Sequence, residues 1–250
     1  MATMRGCVQR ELRLIDGRSG LAGSLLLVYE AVLLDVYGTV VHDDEDMAEE
    51  VCTQVAELIA VEPSAVAAQW SRRLAASANL AYGARFRTLA ELAVMSLAEA
   101  VAHVGATLVL GPICRRYLLS WHCAPLYDDS RPFLEAVNLP VCLVSDSDHD
   151  DLTAVLRLHD IAVAAVVTSE DARADKPRPE PFRLALDRLG RTPEEVIHIG
   201  NSAVFDVAAA AAGGIDTAFI DRDGTVLPPG ITATYAAATL TALLPRLLPC

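Results

Sequence analysis

The stretch AVLLDVYGTVVHDDED, residues 31–46, opens on a continuous apolar run that ends in a carboxylate, Asp35. Apolar residues at every position, rather than at every second one, fit a strand buried on both faces of a parallel sheet. A carboxylate at the tip of such a strand is costly unless it has a use. Four further runs share the pattern: VCLVS (141–145), AAVVTS (164–169), VIHIG (196–200) and TAFID (217–221). Helical patterns lie between them. DDLTAVLRLHD (150–160) has one apolar face, PEPFRLALDRLG (179–190) starts with proline and ends on Gly190, and FDVAAAAAGG (205–214) stops at a glycine pair. This alternation predicts an α/β fold with a doubly wound, mostly parallel sheet.

The gap between the first two runs is different. Residues 47–127 carry helical periodicity and no convincing strand, as in MAEEVCTQVAELIA and FRTLAELAVMSLAEAVAHVG. An ordinary crossover is far shorter, so this segment is read as an inserted α-helical cap domain. The core is then 28–46 together with 128–250. Residues 1–27 match no element and are read either as a loosely ordered extension or as the product of a start codon placed too far upstream. Ligands in open sheets bind beyond the carboxyl ends of the strands, so an insert leaving that edge would roof the site.

Bulk composition narrows the partners. The 250 residues are 53% hydrophobic and 21% charged, with net charge −13. That balance argues against nucleic acid or an anionic membrane surface as partner. It leaves room for a small anionic substrate held by local cations. No run reaches the ~18 consecutive apolar residues of a membrane span. The six cysteines, at 7, 52, 114, 123, 142 and 250, form no CxxC pair. Free thiols in a cytoplasmic protein are the simplest reading. Oligomeric state is expected to be monomer or homodimer.

Strand ends converge on one edge of a parallel sheet. That edge would gather Asp35, Ser145, Asn201 and Asp206, with Lys176 in the loop after the third run. Each has a plainer reading alone: a turn residue, a helix cap, a solvated lysine, or a carboxylate near a helix start. Arg72, Arg73, Arg85 and Arg87 concentrate positive charge in the insert, and Arg72 and Arg85 are candidates to meet a substrate anion. His198 is read as a packed histidine.

As a set, LLDVYGT, CLVSD, KPRPEPF and HIGNSAVFD resemble the four motifs of the haloacid dehalogenase superfamily of hydrolases, over roughly residues 29–245. The resemblance implies that Asp35 is a covalent nucleophile. It implies that Ser145, the Asp146 backbone, Gly38 and Thr39 hold the transferring group, and that Lys176 neutralises charge. It also implies a Mg²⁺ site from Asp35, the Tyr37 carbonyl, Asn201 and Asp206.

Two departures pull apart. In the family's phosphatases the residue two after the nucleophile is usually an aspartate that protonates the leaving alcohol; here it is Tyr37, as in the family's 2-haloacid dehalogenases. A phenol, with a reference pKa of ~10, is a weak acid at neutral pH. The GNSxxxD frame instead resembles the metal-dependent phosphatases, with Asn201 where their aspartate stands. The favoured expectation is a Mg²⁺-dependent phosphatase of a small metabolite, with Mg²⁺ weakly held. The alternatives are a 2-haloacid dehalogenase needing no metal, and a binding protein of this fold with little turnover.

Overall fold

The computed structural model describes residues 29–43 and 45–247. The extension at 1–27 therefore lies outside the described residues. In chain order the elements are β1 (Ala31–Leu34), α1 (Glu45–Ile59), α2 (Pro63–Leu80), α3 (Leu89–His103), α4 (Gly111–Ser120), α5 (Ser130–Ala136), β2 (Val141–Ser145) and α6 (His149–Leu158). They continue with β3 (Ala165–Thr168), α7 (Ser169–Ala172), α8 (Glu180–Leu189), β4 (Val196–Gly200), α9 (Ala209–Ala212), β5 (Asp216–Ile220), β6 (Tyr235–Ala237) and α10 (Leu244–Leu247).

The six strands form one sheet in the order β3-β2-β1-β4-β5-β6, and every pairing is parallel. Five of them coincide with the continuous apolar runs. The sixth, β6, was not foreseen: its three residues YAA are short and none is fully buried, as suits an edge strand. Alternation splits each strand between two layers. Val32, Leu34, Ile197 and Ile199 pack on one face of the sheet. Ala31, Leu33, Cys142, Val144 and Val196 pack on the other, against Phe182 and Ala185 of α8.

The segment expected to be helical at 205–214 forms as two pieces, a π-helical stretch Ala203–Ala208 followed by α9. The wider π turn begins where Ser202 caps the Phe205 N–H at 3.1 Å, and π turns inside helices often mark functional sites.

Helices α1–α4 fill the crossover between β1 and β2. They bury their own core, with Val55, Trp70, Leu97, Val101 and Cys114 at its centre. The Trp70 indole N–H is satisfied by the Ala93 carbonyl at 2.9 Å and the Ser96 hydroxyl at 3.0 Å, as a buried indole requires. Thr88 and Glu91 form a capping box that starts α3. No single described helix is long and apolar enough to cross a membrane.

Candidate active site

Asp35 follows the last residue of β1 directly, and its N–H donates to the Ile199 carbonyl of β4 at 2.9 Å. The backbone is thus fixed before the side chain is considered. Asp35 is 5% exposed. Its Oδ1 accepts from the Lys176 ammonium at 2.6 Å, and its Oδ2 accepts from the Thr39 hydroxyl at 2.7 Å. The same hydroxyl lies 3.3 Å from Asn201 Oδ1, so its one proton goes to the nearer carboxylate. Gly38 makes that approach possible: its φ is +80°, and a Cβ there would lie 2.2 Å from Asn201 Nδ2.

Lys176 is the hub. Its Nζ also donates to Asp206 Oδ1 at 2.7 Å. Burial would lower its pKa, but Asp206 and Asp35 outweigh burial and hold the ammonium charged. Asp206 is 1% exposed and every oxygen is used. Oδ1 takes Lys176 and His198 Nε2, the latter at 3.0 Å, and Oδ2 accepts the Ser202 N–H at 2.9 Å. Burial would raise Asp206, yet Lys176 and His198 keep it well below the usual carboxylate range. Asp35 goes the other way: burial and the Asp206 charge raise it, against the pull of Lys176 and Thr39.

Ser145 ends β2. Its Oγ accepts from the Ser147 N–H at 3.2 Å and the Ser147 hydroxyl at 2.9 Å. The Asp146 side chain has a structural partner of its own. Its Oδ1 accepts the Lys176 N–H at 2.7 Å and so fixes the lysine loop. Burial pushes this carboxyl up to about 7, with Lys176 opposing.

Tyr37 is engaged elsewhere. Its hydroxyl donates to the Trp121 carbonyl of the helical insert at 2.8 Å. Burial, then Asp151, Asp43 and Asp148, push its pKa far above that of an ordinary phenol. Arg72 and Arg85 are both exposed, and among the described residues no hydrogen bond or ion pair joins either to the Asp35–Lys176 cluster.

Arg222 is not singled out by sequence, and Asp148, which follows Ser145 closely enough to suggest a substrate contact, has a different partner. Arg222, just past β5, donates to the Thr39 carbonyl at 2.6 Å and to Asp129 at 3.0 Å, and lies 3.6 Å over the Tyr127 ring. It braces the turn that carries Thr39. Asp148 accepts the N–H groups of Leu89 and Ala90 at 2.7 and 2.9 Å, tying the start of α3 to the core. No local signal marks these pairs, because the partners stand 58 to 183 residues apart. A cavity of about 310 Å³ opens beside Gly38 and Asn201, walled also by Asp43, Asp221 and Arg222.

The residues fit a resident Mg²⁺ poorly. Among the described residues no three His, Cys, Asp or Glu side chains are arranged to hold a metal. Asp206, expected as a ligand, faces Lys176 and His198 with both oxygens occupied. Asn201 brings no charge, and Asp35 is paired with Lys176 already. Mg²⁺ generally asks for one or two available carboxylates.

Known proteins fall on both sides of the chemistry. A 92-residue stretch is 35% identical to the phosphoglycolate phosphatase of Salmonella paratyphi A (strain ATCC 9150 / SARB42), covering 36% of each chain. The chain thus matches about a third of that relative's length. A defluorinating L-2-haloacid dehalogenase superposes with TM-score 0.69 at 26% identity, over 88% of this chain and 95% of its own. A phosphatase from Thermococcus onnurineus superposes with TM-score 0.60 at 21% identity, over 86% and 95%. The last likeness speaks for the fold alone. Residues 29–214 match the family described as haloacid dehalogenase-like hydrolase, and with Asp35, Ser145, Lys176 and Asp206 gathered on one sheet edge, the chain belongs to that family of hydrolases.

Proposed function

We propose that the protein displaces a leaving group that departs without a proton, through an ester on Asp35, and that its substrate is a small 2-haloacid. One observation carries this reading: the Tyr37 hydroxyl, at the place where an acid would serve an alkoxide, is committed to the Trp121 carbonyl. An alkoxide leaves badly unprotonated; a halide needs no proton. Charge supports the same reading. Asp35, Asp206 and Lys176 together carry one net negative charge when ionised, and a carboxylate monoanion adds less repulsion there than a phosphate dianion does.

Asp35 Oδ attacks the halogen-bearing carbon, the carbon–halogen bond breaks, and halide leaves with its electron pair. Water then opens the ester. The products are the 2-hydroxyacid, halide, one proton and the restored Asp35 carboxylate. Ser145 would donate to the substrate carboxylate, and Lys176 would hold Asp35 in line.

A second reading, phosphomonoester hydrolysis, is supported by the short likeness to the phosphoglycolate phosphatase. There Asp35, the Tyr37 carbonyl and Asn201 would have to hold Mg²⁺, which would supply charge neutralisation on the phosphoryl group. Halide and phosphate release from 2-chloropropionate, 2-phosphoglycolate and p-nitrophenyl phosphate, each with Mg²⁺ or EDTA, separates the two. Chloride release that persists in EDTA and vanishes in Asp35→Asn is the expected result. Phosphate release that EDTA abolishes, without chloride release, would replace this reading by the second.

A further inference from the structure

His198 stands third in β4, among residues that are otherwise apolar and fully buried. Its neighbours in register are Leu33 on β1 and Thr217 on β5. Its ring meets Phe182 of α8 edge to face, with centroids 5.1 Å apart. An apolar side chain would fill this layer with no polar atom to satisfy. The imidazole leaves Nδ1 buried without a partner, an unfavourable arrangement. What offsets it is the other nitrogen, 3.0 Å from Asp206 Oδ1. A carboxylate accepts only, so Nε2 carries the hydrogen.

That bond has a consequence two groups away. Asp206 Oδ1 is shared between the imidazole and the Lys176 ammonium, and the same ammonium holds Asp35. Gly200 lets the carboxylate sit close, since a Cβ there would be 2.3 Å from Asp206 Cγ. The donated hydrogen bond fixes the direction of the carboxylate. It also draws part of the Asp206 charge away from Lys176, leaving more of the ammonium's field for Asp35 and for the charge that develops on reaction.

We propose that His198 is a positioning residue for the Lys176–Asp35 pair, acting through Asp206. The inference rests on Asp35 being the nucleophile, whichever leaving group it displaces. His198→Gln keeps an N–H at nearly the reach of Nε2; His198→Leu keeps bulk and removes the donor.

The expected result is a kcat about 10- to 100-fold lower in His198→Leu with KM within about twofold, and recovery to within about threefold of wild type in His198→Gln, on the best substrate of the panel. A readout that needs no substrate runs beside it: the Lys176 side-chain ¹⁵N–¹H resonance, assigned by its loss in Lys176→Met, should shift in the Leu variant and return in the Gln variant. Equal kcat in wild type and His198→Leu would overturn the proposal. So would equal losses in both variants, which would mean packing alone. Absence of turnover in wild type would sink the functional reading, and the resonance would then decide the positioning role by itself: no shift in His198→Leu overturns it.

Discussion

The floor of the site and the seam above it are built by opposite rules. In the floor, Asp35, Lys176, Asp206 and His198 are all at most 5% exposed, and bonds of 2.6 to 3.0 Å link them in series. In the seam, the insert meets the core through scattered hydrogen bonds, among them Tyr37 to Trp121, Gly83 to Arg173, and Arg178 to Asn79, part-buried or exposed. Paired buried charges are costly to separate, because removal of one strands the others. Exposed single bonds are worth little each. The floor therefore behaves as one unit, while the seam is a set of separate contacts, the firmest of them the Asp148 carboxylate on the Leu89 and Ala90 N–H groups.

Removing the hub should break the floor most severely. Lys176→Met leaves Asp35 and Asp206 buried beside each other without their cation. The expected cost is about 3–5 kcal/mol of stability, with loss of turnover. Urea unfolding measures it, and a loss below ~1 kcal/mol would mean that the three groups do not act together.

The seam gives a smaller effect and a sharper question. Tyr37→Phe removes one hydrogen bond and keeps the ring, so turnover should fall by less than about tenfold. A general acid contributes roughly 10²–10⁴-fold. A steady-state loss in that range would make the phenol a proton donor and contradict the proposed leaving-group chemistry.

The last test lies in pH. The Asp146 carboxyl is pushed up to about 7, above its unfolded value, chiefly by burial. Its neutral form is therefore favoured by folding. That contribution is complete below the unfolded pKa and is lost as pH rises through 7. Asp146→Asn keeps the acceptor for the Lys176 N–H and cannot ionise. The variant should melt at least several degrees above wild type at pH 8, with the gap closing towards pH 4. A gap that widens on acidification would reverse the sign.

Much of this was legible because of one topological rule. Five continuous runs specify parallel strands, and parallel strands deliver their last residues to one edge. Asp35 and Ser145 were found that way, and Asn201 and Asp206 follow β4 closely. Lys176 needed the motif, since it lies in a loop. Other features were not legible. The Tyr37 hydroxyl finds its partner 84 residues away, so the sequence could say that it was a weak acid but not that it was engaged. Arg222 and Asp129 carry no motif at all. The sequence marks His198 only as a packed residue. Its place, on the face of β4 opposite Ile197 and Ile199 and eight residues before Asp206, was the available clue. The edge strand β6 left no signal, because YAA neither alternates nor forms an apolar run of useful length.

The two linkers that join the insert to the core also pair with each other. Val41 bridges Leu126, His42 donates to the Pro125 carbonyl at 2.8 Å, and Tyr127 donates to Val40 at 3.2 Å. The His42 and Tyr127 rings stack 3.8 Å apart. Two independent threads would let a helical body twist in any direction; a ribbon bends easily about one axis only. Gly38 bonds into this ribbon through its N–H to the Val41 carbonyl at 2.7 Å. Any bend of that ribbon would therefore bear on the turn that presents Thr39 to Asp35.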